Sequence, residues 1–140
     1  MLDPKIITYL KNNNWWFNDI SEPYKLALCS IGLDLDSDIS IFYLHAEDCS
    51  SFYSRNQELY QLCWFIINSD YQLLIESARS AYGLSSDYIP LNDLSNGTYF
   101  YNKKNGVILI LLFVGIFKSK FRFVKSSLSK DCLLTVFFSH

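Results

Sequence analysis

An α+β domain is the fold class this sequence predicts, and three observations carry it. Apolar residues recur at helical spacing behind N-terminal capping residues near positions 4, 21 and 70. The later stretch TYFYNKKNGVILI, residues 98–110, sets two β-forming runs about an Asn105-Gly106 turn. Helices first and a hairpin later point to α+β, with helices packed against a mainly antiparallel sheet. The chain has 140 residues, half of them hydrophobic, with three prolines and five glycines, which suits one core in a single domain.

The first element runs from about 4 to 12: Asp3 is placed to cap, Pro4 suits the first turn, and Ile6, Ile7 and Leu10 share one side before Asn12-Asn13-Asn14. Trp15, Trp16 and Phe17 follow as a plug that pins this helix to the core. Ser21-Glu22-Pro23 starts a second helix, about 21–31, whose face is Tyr24, Ala27, Leu28 and Ile31 and which stops near Gly32. Ile39 to Leu44 alternates and then turns continuously apolar, which predicts a strand. Residues 57–67, QELYQLCWFII, match both periods; Ser54 and Gln57 as a capping box tip the reading toward helix. From 70 to 82 a helix is clear: Tyr71, Leu74, Ile75, Ala78 and Tyr82 make one stripe, Ser69 or Asp70 caps it and Gly83 ends it. Glu76, Arg79 and Ser80 are left for solvent. Tyr88 to Leu91 leads into the sheet, Asn96-Gly97 turns, 98–101 is a strand, and Gly106 supplies the positive torsion of the next turn. Val107 to Phe117 has eleven residues without a charge, too few for a membrane span and suited to a buried strand, with membrane-surface contact the weaker alternative. Beyond Lys118 the pattern alternates poorly and holds no motif.

Charge is unevenly distributed. Residues 1–100 carry thirteen acids against five bases, whereas residues 101–140 carry seven bases against Asp131 alone. The acidic body disfavours nucleic acid as a partner, although the tail from Lys103 to Lys130 could touch phosphate. Asp34, Asp36 and Asp38, followed by Glu47 and Asp48, read either as a solvated loop or as a surface that attracts a basic partner. Cys29, Cys49, Cys63 and Cys132 form no metal-binding spacing and read as reduced, buried small hydrophobes in a cytoplasmic protein. His45, beside Glu47 and Asp48, is the only candidate catalytic base, and a strand-end histidine near carboxylates also serves as a structural hydrogen-bonding residue.

Several segments, in order, resemble the SUKH superfamily. WWFNDISEPYKLAL is similar to the opening of those domains, and FYLHAEDC, ELYQLCWFIINSDY and YIPLNDLSNGTYFYNKKNGVIL are similar to consecutive core segments of bacterial members. The likeness covers roughly residues 15–110. Ser95-Asn96-Gly97 stands where members usually have glycines, and the family's C-terminal amphipathic helix is not recognisable. The chain thus divides into a SUKH-like domain at 1–110 and an atypical segment at 111–140 that belongs either to the same domain or to a departure in frame or lineage after about Leu109. The resemblance implies a non-catalytic immunity protein, without cofactor or metal, that binds the C-terminal domain of a bacterial polymorphic or contact-dependent toxin, plausibly a nuclease, with Asp34, Asp36, Asp38, Glu47 and Asp48 as steering charges. A regulatory adaptor of the same fold is the alternative.

Overall fold

The computed structural model describes residues 2–48, 51–54, 57–93, 98–114 and 120–127. Its first two helices form where capping chemistry places them. In α1, Pro4–Asn12, the Asp3 carboxylate accepts from Lys5 N at 2.8 Å, Pro4 occupies the first turn, and Ile6 and Leu10 are buried. In α2, Glu22–Ser30, the Ser21 hydroxyl accepts from Tyr24 N, and Ala27 and Leu28 turn inward. Trp15 and Trp16 pack part-buried against the core as expected, whereas Phe17 stays 40% exposed.

Residues 39–44 depart from the sequence reading. They belong to a helix, α3, Asp38–Ala46, not to a strand, and Ser37 caps it by accepting from Ser40 N. Ile39, Ser40, Phe42, Tyr43, Leu44 and Ala46 are all buried. A helix buried nearly all round has no polar face to reveal its 3.6-residue period, so the alternation of Ile39 and Ile41 misleads.

The ambiguous 57–67 segment divides. Tyr53–Ser54 and Gln57–Glu58 form a small antiparallel pair, β1 and β2, and α4, Leu62–Asn68, begins only after it. Gln57 is therefore in a strand and takes no part in capping that helix. α5, Tyr71–Tyr82, follows the prediction: Asp70 accepts from Leu73 N, Tyr71, Ile75, Ala78 and Tyr82 are buried, and Gly83 adopts a left-handed φ of 65°. Arg79 is not a solvent residue, because its guanidinium donates to Tyr88 O at 2.7 Å and Ser86 O at 2.6 Å. It ties the chain after α5 back onto that helix.

Four strands complete the molecule: β3 Tyr88–Pro90, β4 Thr98–Asn102, β5 Val107–Val114 and β6 Lys120–Ser127, in spatial order β3-β4-β5-β6 and antiparallel throughout. Gly106, with φ 70°, makes the β4–β5 turn; the expected Asn96-Gly97 turn lies outside the described residues. β5 runs without a break across positions 110 and 111, and all eight of its residues are in register with β6, a strand that the sequence reading missed. The helical layer and the sheet share one core, in which Leu10, Leu28, Phe42, Leu62, Tyr71, Tyr99, Tyr101 and Ile108 participate. Phe100, between the two tyrosines, points to the opposite face and packs with Ala78 and Tyr82 of α5. β4 is thus buried along its whole length.

Candidate functional site

The chain leaving β2 is stitched to the end of β3 rather than running free. Leu59 forms a bridge with Asn92, Tyr60 N donates to Leu91 O at 2.7 Å, and the fully buried Asn92 side chain accepts from Tyr99 N at 2.7 Å. This brings Glu58 and Asp93 to one place although they lie far apart in sequence. α4 then starts directly beside them.

The first turn of α4 needs acceptors for its amide groups, and Gln61 supplies no side-chain cap. Glu47 does so from the end of α3: its two carboxylate oxygens accept from Cys63 N and Trp64 N, each at 2.9 Å. The residue is 3% exposed. Burial raises its carboxyl above the ordinary range, while hydrogen bonds from Cys63 and Trp64 oppose the rise. Of the acids read as surface charges, Glu47 is therefore a buried helix cap.

The outcome is an open groove of about 230 Å³ between β2, α4 and the residue after Asn92. Tyr60 and Phe65 stack at 4.6 Å along it, each edge-on to Tyr71 behind them. Trp64 projects at its margin with 53% exposure, and the exposed Glu58 and Asp93 supply carboxylates. The Tyr60 hydroxyl donates to Asp93 Oδ1 at 3.0 Å, which fixes that carboxylate in place. Ile67, one turn on from Trp64, is also half exposed. An exposed aromatic beside fixed carboxylates is suited to anchoring a partner, because aromatic side chains supply large contact area at low entropic cost.

The five predicted steering residues do not form one cluster. Asp34 and Asp36 are exposed in the α2–α3 connection, where Asp36 N donates to Asp34 Oδ1 at 2.9 Å; Asp38 is the half-buried first residue of α3. Asp48 is exposed beyond the other end of that helix and accepts from the Tyr24 hydroxyl at 2.7 Å. Nine residues of helix, roughly 13 Å, separate the two groups.

His45 sits in the last turn of α3, not at a strand end. Its Nδ1 donates to Phe17 O at 2.6 Å, Phe17 N returns a bond to His45 O at 2.8 Å, and Trp16 stacks on the ring at 4.1 Å. These contacts explain the residue as a clamp between the aromatic plug and α3. Cys63 is fully buried, with its thiol pushed up by burial and then by Glu47, as befits a core residue. Cys29 departs from the expectation by being exposed, and Cys49 and Cys132 lie outside the described residues. Among the described residues no group of His, Cys, Asp and Glu is placed to hold a metal ion, and no helix is long and apolar enough to cross a membrane.

Sequence reasoning missed Glu58, Tyr60, Trp64, Phe65 and Asp93. One signal was available: the helical stripe Leu62, Cys63 and Ile66 leaves Trp64 and Ile67 off its face, and a tryptophan off the core stripe is a candidate contact residue. Comparison with protein-family models, curated proteins and solved structures gives no match.

Proposed function

We propose that this protein is a non-catalytic binding protein, an immunity protein of SUKH type that neutralises the C-terminal domain of a cognate bacterial polymorphic or contact-dependent toxin. The observation that carries the binding reading is the groove beside α4, where exposed Trp64 and the Tyr60–Phe65 stack adjoin Glu58 and Asp93. The ordered likeness of residues 15–110 to SUKH segments supplies the toxin as partner.

The physical logic is occlusion. A toxin that cuts nucleic acid carries a basic groove for its substrate, and an acidic protein that covers it competes for the same charges. The body, with thirteen acids against five bases in residues 1–100, has the complementary sign. A lasting block buries on the order of 1,600 Å², so the groove is the anchor of a larger contact and not the whole of it. Asp34, Asp36, Asp38 and Asp48 act outside the groove by steering the encounter, in the cytoplasm of the producing cell.

The reading expects a toxin gene beside the one for this protein, and co-expression with that toxin's C-terminal domain tests it. Growth is expected to be restored, a stable complex to co-purify, and Trp64→Ala to weaken it by about 2 kcal/mol or more, as for an aromatic anchor. Absence of rescue, with a regulatory protein recovered as the stable partner instead, would favour the adaptor reading.

A further inference from the structure

We infer that the groove between β2 and α4 receives an arginine side chain of the partner protein. The inference rests on the reading of this molecule as a binding protein and names the chemistry of its anchor.

Size is the first observation. At about 230 Å³ and open to solvent, the groove is smaller than the roughly 300–1,000 Å³ of small-molecule sites, and it suits one side chain of a macromolecule. Its walls are the second. Trp64 is 53% exposed, with the Tyr60–Phe65 stack beside it, so a planar cation has an indole ring to rest on. Charge is the third: Glu58 and Asp93 line the same groove, and among its described lining residues none is basic.

A helix N-terminus ordinarily disfavours a cation, and the groove lies at the start of α4. Here the Glu47 carboxylate already accepts from the Cys63 and Trp64 amides, so the positive end of the helix is occupied by an anion of the protein itself. Exposed Asp48 follows it in sequence. The same bonds remove these amides as donors for an anionic ligand. Arginine fits better than lysine, because a guanidinium stacks flat on aromatic rings while its forked N–H groups bond carboxylates. A purely apolar side chain would use the rings but set its hydrocarbon against the Glu58 and Asp93 carboxylates that line the same groove.

The test uses the full chain labelled with 5-fluorotryptophan and observed by ¹⁹F NMR, with the Trp64 signal assigned through Trp64→Phe. The probes are the N-acetyl amides of arginine, lysine and norleucine, added at matched ionic strength. The arginine probe is expected to shift the Trp64 signal saturably, the lysine probe to do so more weakly, and norleucine to leave it in place. Glu58→Gln with Asp93→Asn is expected to weaken the arginine response by about fivefold or more, the Trp15 and Trp16 signals reporting that the fold is kept. A Trp64 signal that ignores the arginine probe, or answers norleucine equally, would overturn the inference; the latter would make the groove an apolar anchor. No toxin is present in this measurement. Its failure therefore leaves the immunity reading standing, and failure of toxin rescue leaves the arginine pocket untouched.

Discussion

Replacing Glu47 by alanine removes the side chain that caps the first turn of α4 and is expected to destabilise the protein by about 2–4 kcal/mol. The Glu47 oxygens accept two amide hydrogen bonds of 2.9 Å in a position only 3% exposed. Hydrogen bonds to a charged group contribute roughly 1.5–3 kcal/mol each, which sets an upper bound of about 3–6 kcal/mol, and the burial of the carboxylate offsets part of it. Glu47→Gln keeps one acceptor oxygen and is expected to lose about 1–2 kcal/mol. Urea unfolding followed by circular dichroism measures both, provided the slope is unchanged. The pH dependence gives a second check. Because the folded-state carboxyl titrates above its ordinary value of 4.5, protonation favours the folded state. That contribution is complete below about pH 4.5 and is lost as pH rises through the folded value, so the margin of the parent over Glu47→Gln widens on acidification. An alanine variant within about 0.5 kcal/mol of the parent would refute the capping account, whereas a margin that narrows in acid would show that the amide hydrogen bonds outweigh burial at Glu47 and overturn the assigned cause of its raised titration.

Three further outcomes follow from the packing and the charge distribution. Phe100→Ala empties a fully buried position between β4 and α5 and is expected to cost about 3–5 kcal/mol in the same assay, with a loss under 1 kcal/mol showing that the second face is not packed as described. Tyr71→Phe deletes the buried hydrogen bond to Pro90 O, at 2.6 Å, and leaves that carbonyl one donor fewer; a loss of about 1–2 kcal/mol is expected, and an unchanged unfolding midpoint would contradict it. Asparagine at Asp34, Asp36 and Asp38 is expected to slow association with a basic partner severalfold at low salt and hardly at all at high salt. Stopped-flow rates equal to the parent's at low salt would exclude that end of α3 from the encounter surface.

The elements that the sequence made legible are those with local punctuation. Asp3, Ser21 and Asp70 each cap the helix expected of them, and Gly83 and Gly106 take the positive torsions that their turns require. α3 was hidden because its burial on nearly every side erases the period by which a helix is read. α4 was misplaced because its cap is distant: Glu47 precedes Cys63 by sixteen residues, and no short-range motif encodes that. β6 escaped notice because the alternation of Lys120-Phe121-Arg122-Phe123 breaks at Val124, and pairing with β5 defines the strand. The candidate site was the least legible part, since Glu58 and Asp93 become neighbours only through the Leu59–Asn92 bridge. A long-range pairing of that kind leaves no trace in either segment alone.

β4 has no outward side, and this has a consequence for motion. Its neighbours β3 and β5 hold its two edges, and Tyr99, Phe100 and Tyr101 fill the layers above and below. No local fluctuation can bring its amides to water without parting both layers, so their deuterium uptake is expected to track opening of the whole molecule. The groove at α4 is attached to this strand through the Asn92 side-chain oxygen Oδ1, which accepts from the Tyr99 amide. A partner that docks there therefore grips a strand buried on both faces, and bound lifetimes need not be limited by fraying of the surface that it holds.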